Sequence, residues 1–126
     1  MRIDWSTIPA LPGMRPGTTR QGIAGPLMSA VRVVTSPEAS FATSALHTHH
    51  HEQYLVMVAG ALELECAGTR YWVARGDLAV FPPGVEHGAV SVGPAGAEYF
   101  EIFSPARYDQ LPGYVGPSPL TYTGGR

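Results

Sequence analysis

The sequence has no lysine, a single cysteine, no long apolar run and few charges of either sign, and each scarcity closes a class of function. The eight basic residues are all arginine and stand against ten acids, for a net charge of −2. They form no basic run that would track a phosphate backbone, so nucleic acid is not an expected partner. Charged residues make up 14% of the chain and hydrophobic ones 44%, a balance that excludes a disordered chain and leaves ample material for a core. Cys66 alone cannot form an intrachain disulfide, which suits a reducing cytoplasm. Within its alternating run it reads as a small buried hydrophobe. The start, Met-Arg-Ile-Asp-Trp-Ser, lacks a charged leader followed by an apolar segment, so neither secretion nor membrane insertion is expected. At 126 residues there is room for one domain and little for a second.

What is abundant is turn chemistry. Fifteen glycines and twelve prolines, with no collagen-like period, go with many short strands rather than long helices, and no window of helical periodicity interrupts them. Breakers are densest at the ends. Residues 1–20 therefore read as an extended arm with at most one short strand, residues 105–126 as a Pro/Gly-rich tail, and residues 21–104 as one β-domain. Strands are expected near Leu27–Val34, Ser40–Leu46, Gln53–Val58, Ala61–Ala67, Arg70–Ala74, Leu78–Phe81, His87–Val92 and Glu98–Phe103, with hairpins at Ala59-Gly60 and Gly68-Thr69. Leu62, Leu64 and Cys66 alternate with Glu63 and Glu65, giving that strand one buried and one wet face. Eight such strands in about 80 residues fit a jelly-roll sandwich or small barrel. The two arms offer edges for a homodimer contact. Trp5 and Trp72 are assigned to packing or to that contact.

All five histidines fall in two places, four between His47 and His51 and one at His87. On a strand His47 and His49 share a face about 6 to 7 Å apart, close enough for two imidazoles to converge on one ion. Gln53 has the same parity, and so does His51. Taken alone, the cluster is also compatible with a solvated loop or a fortuitous surface metal site. The second segment, Gly76 to His87, contains Pro82, Gly84 and His87 at fixed offsets from Gly76. Glycine frees the backbone for tight turns, and Pro82-Pro83 stiffens the approach to His87.

These positions resemble the two motifs of the cupin family. His47, His49, Gln53 and Gly60 occupy the first motif in order, and Gly76, Pro82, Gly84 and His87 the second, eight positions between residues 47 and 87. The second motif often closes on an asparagine where this chain has Ser91. The resemblance implies an all-β cupin jelly-roll with one divalent metal held by His47, His49, Gln53 and His87, leaving His50 and His51 outside the ligand set. Gln53 stands where most members carry glutamate, so three imidazoles and an amide would leave the full double charge on the ion. Such donors suit nickel, iron, manganese or zinc.

A third segment, Glu101 to Asp109, resembles the ending of small single-domain cupins of the KdgF type, which act on unsaturated monouronates from pectin and alginate. That resemblance implies pocket roles for Glu101, Phe103 and Arg107. Glu101 would shuttle a proton, Arg107 would clamp a carboxylate in a bidentate pair, and Phe103 would form a wall that excludes water. Glutamate at 101 departs from the usual aspartate, and Ala106 from the usual proline. The function implied is metal-dependent ring opening or tautomerisation of a small anionic sugar acid. An iron-dependent dioxygenase, a metal-dependent lyase and a non-catalytic cupin that binds a small acid are the alternatives.

Overall fold

A computed structural model describes residues 1–41 and 46–123 of the chain. It contains nine strands: β1 (Leu11–Pro12), β2 (Thr18–Ala24), β3 (Ser29–Thr35), β4 (His47–Thr48), β5 (Glu52–Cys66), β6 (Thr69–Ala74), β7 (Leu78–Phe81), β8 (His87–Ser104) and β9 (Thr121–Tyr122). All pairings are antiparallel and join one sheet that curls into a jelly-roll. Two 3-10 turns, Trp5–Thr7 and Tyr108–Gln110, are the other regular elements among the described residues. No helix among the described residues is long and apolar enough to cross a membrane.

The organising elements are β5 and β8, fifteen and eighteen residues long. The second half of β8 pairs with β3 on one side and β5 on the other, while its first residue, His87, faces His47 of β4. Along β5 the first half takes β7 and the second half takes β6. Inward parity places Val31, Leu55, Leu62, Leu64 and Phe81 in the core, each no more than 2% exposed. Glu63 and Glu65 point outward, where they meet Ser91 and Arg70. Burial raises the Cys66 thiol above its usual range, and the side chain packs against the core.

Several boundaries differ from the sequence expectation. There is no hairpin at Ala59-Gly60: β5 runs through it, as β8 runs through residues 92–98. Gly60 has φ +72°, and a Cβ there would collide with the carbonyl oxygen of Gly96, itself at φ +76°. The register slips on both sides of Gly60, so the glycines mark a bulge where two long strands bend together rather than a chain reversal. The β5–β6 reversal does exist, but its corner residues are Ala67 and Gly68, both at positive φ, with Cys66 opposite Thr69. The strand expected over Ser40–Leu46 lies largely outside the described residues. Gly60→Ala should destabilise the protein by more than about 2 kcal/mol, because it meets both a left-handed backbone and a backbone collision. Urea unfolding measures this, and a change within about 0.5 kcal/mol would contradict the bulge account.

Strand β2 was not expected from the sequence, and its composition explains why. Thr18, Arg20 and Gly22 have inward parity, opposite Thr35, Val33 and Val31 of β3. Outward-facing Gln21 donates to the carbonyls of Trp5 and Ile8, tying down the N-terminal segment. Trp5 lies 5.8 Å from Phe100, while Trp72 stands exposed on β6. A strand whose inner side is polar lacks the apolar alternation by which strands are recognised. The tail has structure too, for β9 pairs with β4 and sets Tyr122 against His47.

Candidate metal centre

His47, His49 and His87 converge because three different devices hold them. His47 and His87 are direct cross-strand partners on β4 and β8. Just beyond β4, the His49 carbonyl accepts from the Gly84 N–H at 2.9 Å, which docks the Pro82–Gly84 turn against the histidine segment. The imidazole of His87 stacks on Phe81, 4.4 Å between centroids and 12° from parallel. The ligating atoms of the three histidines lie within 4.8 Å of one another, a geometry compatible with binding a metal ion.

The hydrogen bonds orient these rings. The Nδ1–H of His87 donates to the Val85 carbonyl at 2.9 Å and that of His49 to the His51 carbonyl at 3.2 Å. Each then turns an unprotonated Nε2 toward Gln53 Oε1, both at 3.0 Å. Gln53 is oriented from behind, its amide nitrogen donating to Glu101 Oε2 at 2.5 Å. Three acceptor atoms therefore face one another without a proton between them. That arrangement is repulsive unless a cation sits among them, and the spacing is that of neighbouring ligands on an octahedral ion at about 2.1 Å. The donor set thus fits a divalent transition metal.

Burial also keeps the rings neutral, as ligation requires. It lowers His49, and it lowers His87 to about 3 despite the bond to Val85. His51 falls to about 4, from burial first and then from His50 and His49. In the unfolded chain each would titrate near 6.5. Between that value and the folded one the unfolded chain binds protons that the folded chain refuses, so stability falls as pH falls from about 6.5. Glu101, raised by burial, acts in the opposite sense but against three histidines. The urea midpoint of chelator-treated protein should therefore drop between pH 7.5 and pH 5; a flat or rising midpoint would contradict the assigned ring states.

His47 and His87 border a cavity of about 240 Å³ whose walls include Gln53, Glu101, Arg107 and Asp109. Glu101 comes from β8 between Val31 and Leu55. Its carboxyl is raised above the usual range by burial, an effect opposed by Arg107, Arg15, the Gln53 amide and Arg20. Arg107 is 5% exposed, with its backbone N–H on Ser29 Oγ and its guanidinium 4.8 Å above the Phe103 ring. Its Nε and Nη2 donate to the two oxygens of Asp109 at 3.1 and 3.0 Å. Hence only the end-on pair of its N–H groups is open to a ligand. Phe103 is fully buried behind His49 and Arg107 and belongs to the core rather than the cavity lining. His50 is exposed, whereas His51 is buried against it and lines a separate hollow with Arg107 and Tyr114.

Sequence reasoning missed several cavity residues. Arg15 and Arg20 enter from the N-terminal segment, Tyr99 from β8, Gln110 from the second 3-10 turn, and Ser118, Leu120 and Tyr122 from the tail. The one available signal was Arg20 alternating with Thr18 and Gly22, a polar inner face that makes sense only beside a cavity.

Fold and site together define an antiparallel jelly-roll whose two histidine-bearing segments meet in an interior, metal-compatible cluster. The chain belongs to the cupin family, residues 33–103 matching the Cupin domain. Among solved structures it is similar to an RmlC-like cupin from Shewanella frigidimarina, at 28% identity over 84% of this chain and 91% of that one, with a TM-score of 0.71. It is also similar to KdgF from Halomonas sp., at 30% identity over 79% of this chain and 89% of that one, TM-score 0.65. A cupin-superfamily sugar phosphate isomerase from Silicibacter pomeroyi shares the fold at 21% identity, with 82% and 75% covered and a TM-score of 0.69. No curated protein matches.

Proposed function

We propose that this cupin is a divalent-metal-dependent enzyme that opens and tautomerises an unsaturated monouronate. The observation that carries the reading is Glu101: a carboxyl with a raised pKa, bonded to Gln53 and facing the same cavity as the histidine cluster. A proton-transfer group adjoining the cluster is what an isomerase needs and what a passive binding site does not. Similarity to a KdgF at 30% identity supports the substrate class.

A bound ion with His47, His49, Gln53 and His87 as ligands would supply Lewis acidity toward a sugar oxygen. The open end of Arg107 holds the carboxylate, its guanidinium fixed by Asp109 and Phe103. Glu101 accepts the proton of the anomeric hydroxyl as the bond from C1 to the ring oxygen breaks and a C1 carbonyl forms. It then returns the proton to C4, while the former ring oxygen becomes a carbonyl at C5. Nothing is added or lost, so the reaction is an isomerisation and needs no co-reactant. NMR of metal-loaded protein with freshly made unsaturated galacturonate or mannuronate should show a linear keto product. Persistence of the cyclic hemiacetal at its spontaneous rate with both sugars would refute the assignment.

A further inference from the structure

The cavity holds more positive charge than the proposed chemistry has used. Among the described residues Arg107 is paired with Asp109, whereas Arg15 and Arg20 line the same cavity and form no ion pair. Arg20 is the sharper case, since its Nε is sealed from solvent and has no hydrogen-bond partner. A guanidinium N–H that has lost hydration without gaining an acceptor is costly, and an incoming anion removes the cost. The second observation lies across from it. Gln110, 6% exposed, lines the cavity with an Oε1 that is likewise buried and unpartnered. Backbone packing brings the two segments together: a Cβ on Gly22, two residues along β2 from Arg20, would lie 3.4 Å from the Gln110 carbonyl oxygen. One cavity thus contains an unused charged donor and an unused acceptor.

We propose that Arg20 and Gln110 form the subsite that selects a hydroxy acid, the Arg20 guanidinium taking the carboxylate beside the open end of Arg107 and Gln110 accepting from a ligand hydroxyl. Arg20 is then a specificity-determining residue, contributed by a strand outside the stretch that carries the histidine motifs. Arg15, stacked 4.5 Å over Phe41, adds charge at the cavity without taking part in the subsite. The inference deepens the uronate reading and rests on it for the identity of the acid, but not for the anion site itself.

The test is calorimetric titration of metal-loaded protein with D-galacturonate, its neutral methyl ester, and D-gluconate, an open-chain hydroxy acid, for wild type, Arg20→Gln and Arg20→Lys. Galacturonate should bind at least about tenfold tighter than its ester. In Arg20→Gln that preference should shrink severalfold, Arg107 still holding the carboxylate, with the metal content unchanged, and KM for unsaturated galacturonate should rise about tenfold or more while kcat stays within about threefold. Arg20→Lys keeps the charge without the fork and should retain part of the preference, which keeps the test decisive if the glutamine variant does not fold. Normal turnover with acid preference intact in both variants would overturn this subsite and leave the uronate reading standing. Arg20-dependent binding of gluconate without any response to galacturonate would support the subsite and sink the uronate reading. Wild type that binds none of the acids would overturn both.

Discussion

His49→Ala should empty the metal centre, lowering metal affinity by more than about 100-fold and activity to background. The size follows from position. His49 Nε2 stands 3.0 Å from Gln53 Oε1, in the middle of the donor set, and no other histidine replaces it: His50 is exposed, and His51, though buried, lies outside the cluster and lines the hollow beyond. The substitution leaves the His49 carbonyl in place for Gly84, so the Pro82–Gly84 turn stays docked and the loss is chemical rather than architectural. His50→Ala is the control and should keep its metal. Elemental analysis after dialysis reads both variants, and unchanged stoichiometry in His49→Ala would break the ligand assignment.

Glu101→Gln should lower kcat by about 10²- to 10⁴-fold and change KM by less than about threefold. Glutamine fills the same space, and its carbonyl oxygen can still accept from the Gln53 amide, so the orientation of Gln53 and the metal content should survive. What disappears is the ability to take up and release a proton. The raised pKa of Glu101 suits that task, since a carboxyl held above its ordinary range is a better base when ionised. Steady-state kinetics with the metal content measured on the same sample decides it. Full turnover in Glu101→Gln would remove this group from the mechanism.

Much of the site was legible in the sequence because its parts are local. The two histidines of the first motif share strand parity, and the glycine and proline positions before His87 specify a turn whatever surrounds it. The jelly-roll was legible from turn density and from the alternation of Leu62, Leu64 and Cys66. Gly60 was misread because a glycine between two apolar runs looks the same whether the chain reverses or bends; the difference lies in Gly96, 36 residues away, whose carbonyl occupies the space a side chain would need. Arg20 and Gln110 stayed hidden for a related reason. A residue that faces an interior cavity is polar where the pattern of a buried strand calls for an apolar one, so the alternation that reveals the core conceals the pocket. The sequence offered Arg107 both as a carboxylate clamp and as a partner of Asp109, and the folded chain shows the pair with Asp109 formed.

The central claim is that metal and Glu101 act together on an unsaturated uronate, and one measurement tests it most directly. Freshly made unsaturated galacturonate or mannuronate is mixed with metal-loaded protein, with chelated protein and with metal-loaded Glu101→Gln, and the ultraviolet absorbance of the conjugated double bond is followed. The account predicts rapid loss of absorbance with the metal-loaded wild type alone. Equal rates in all three samples, with the wild-type site stoichiometrically filled, would contradict it.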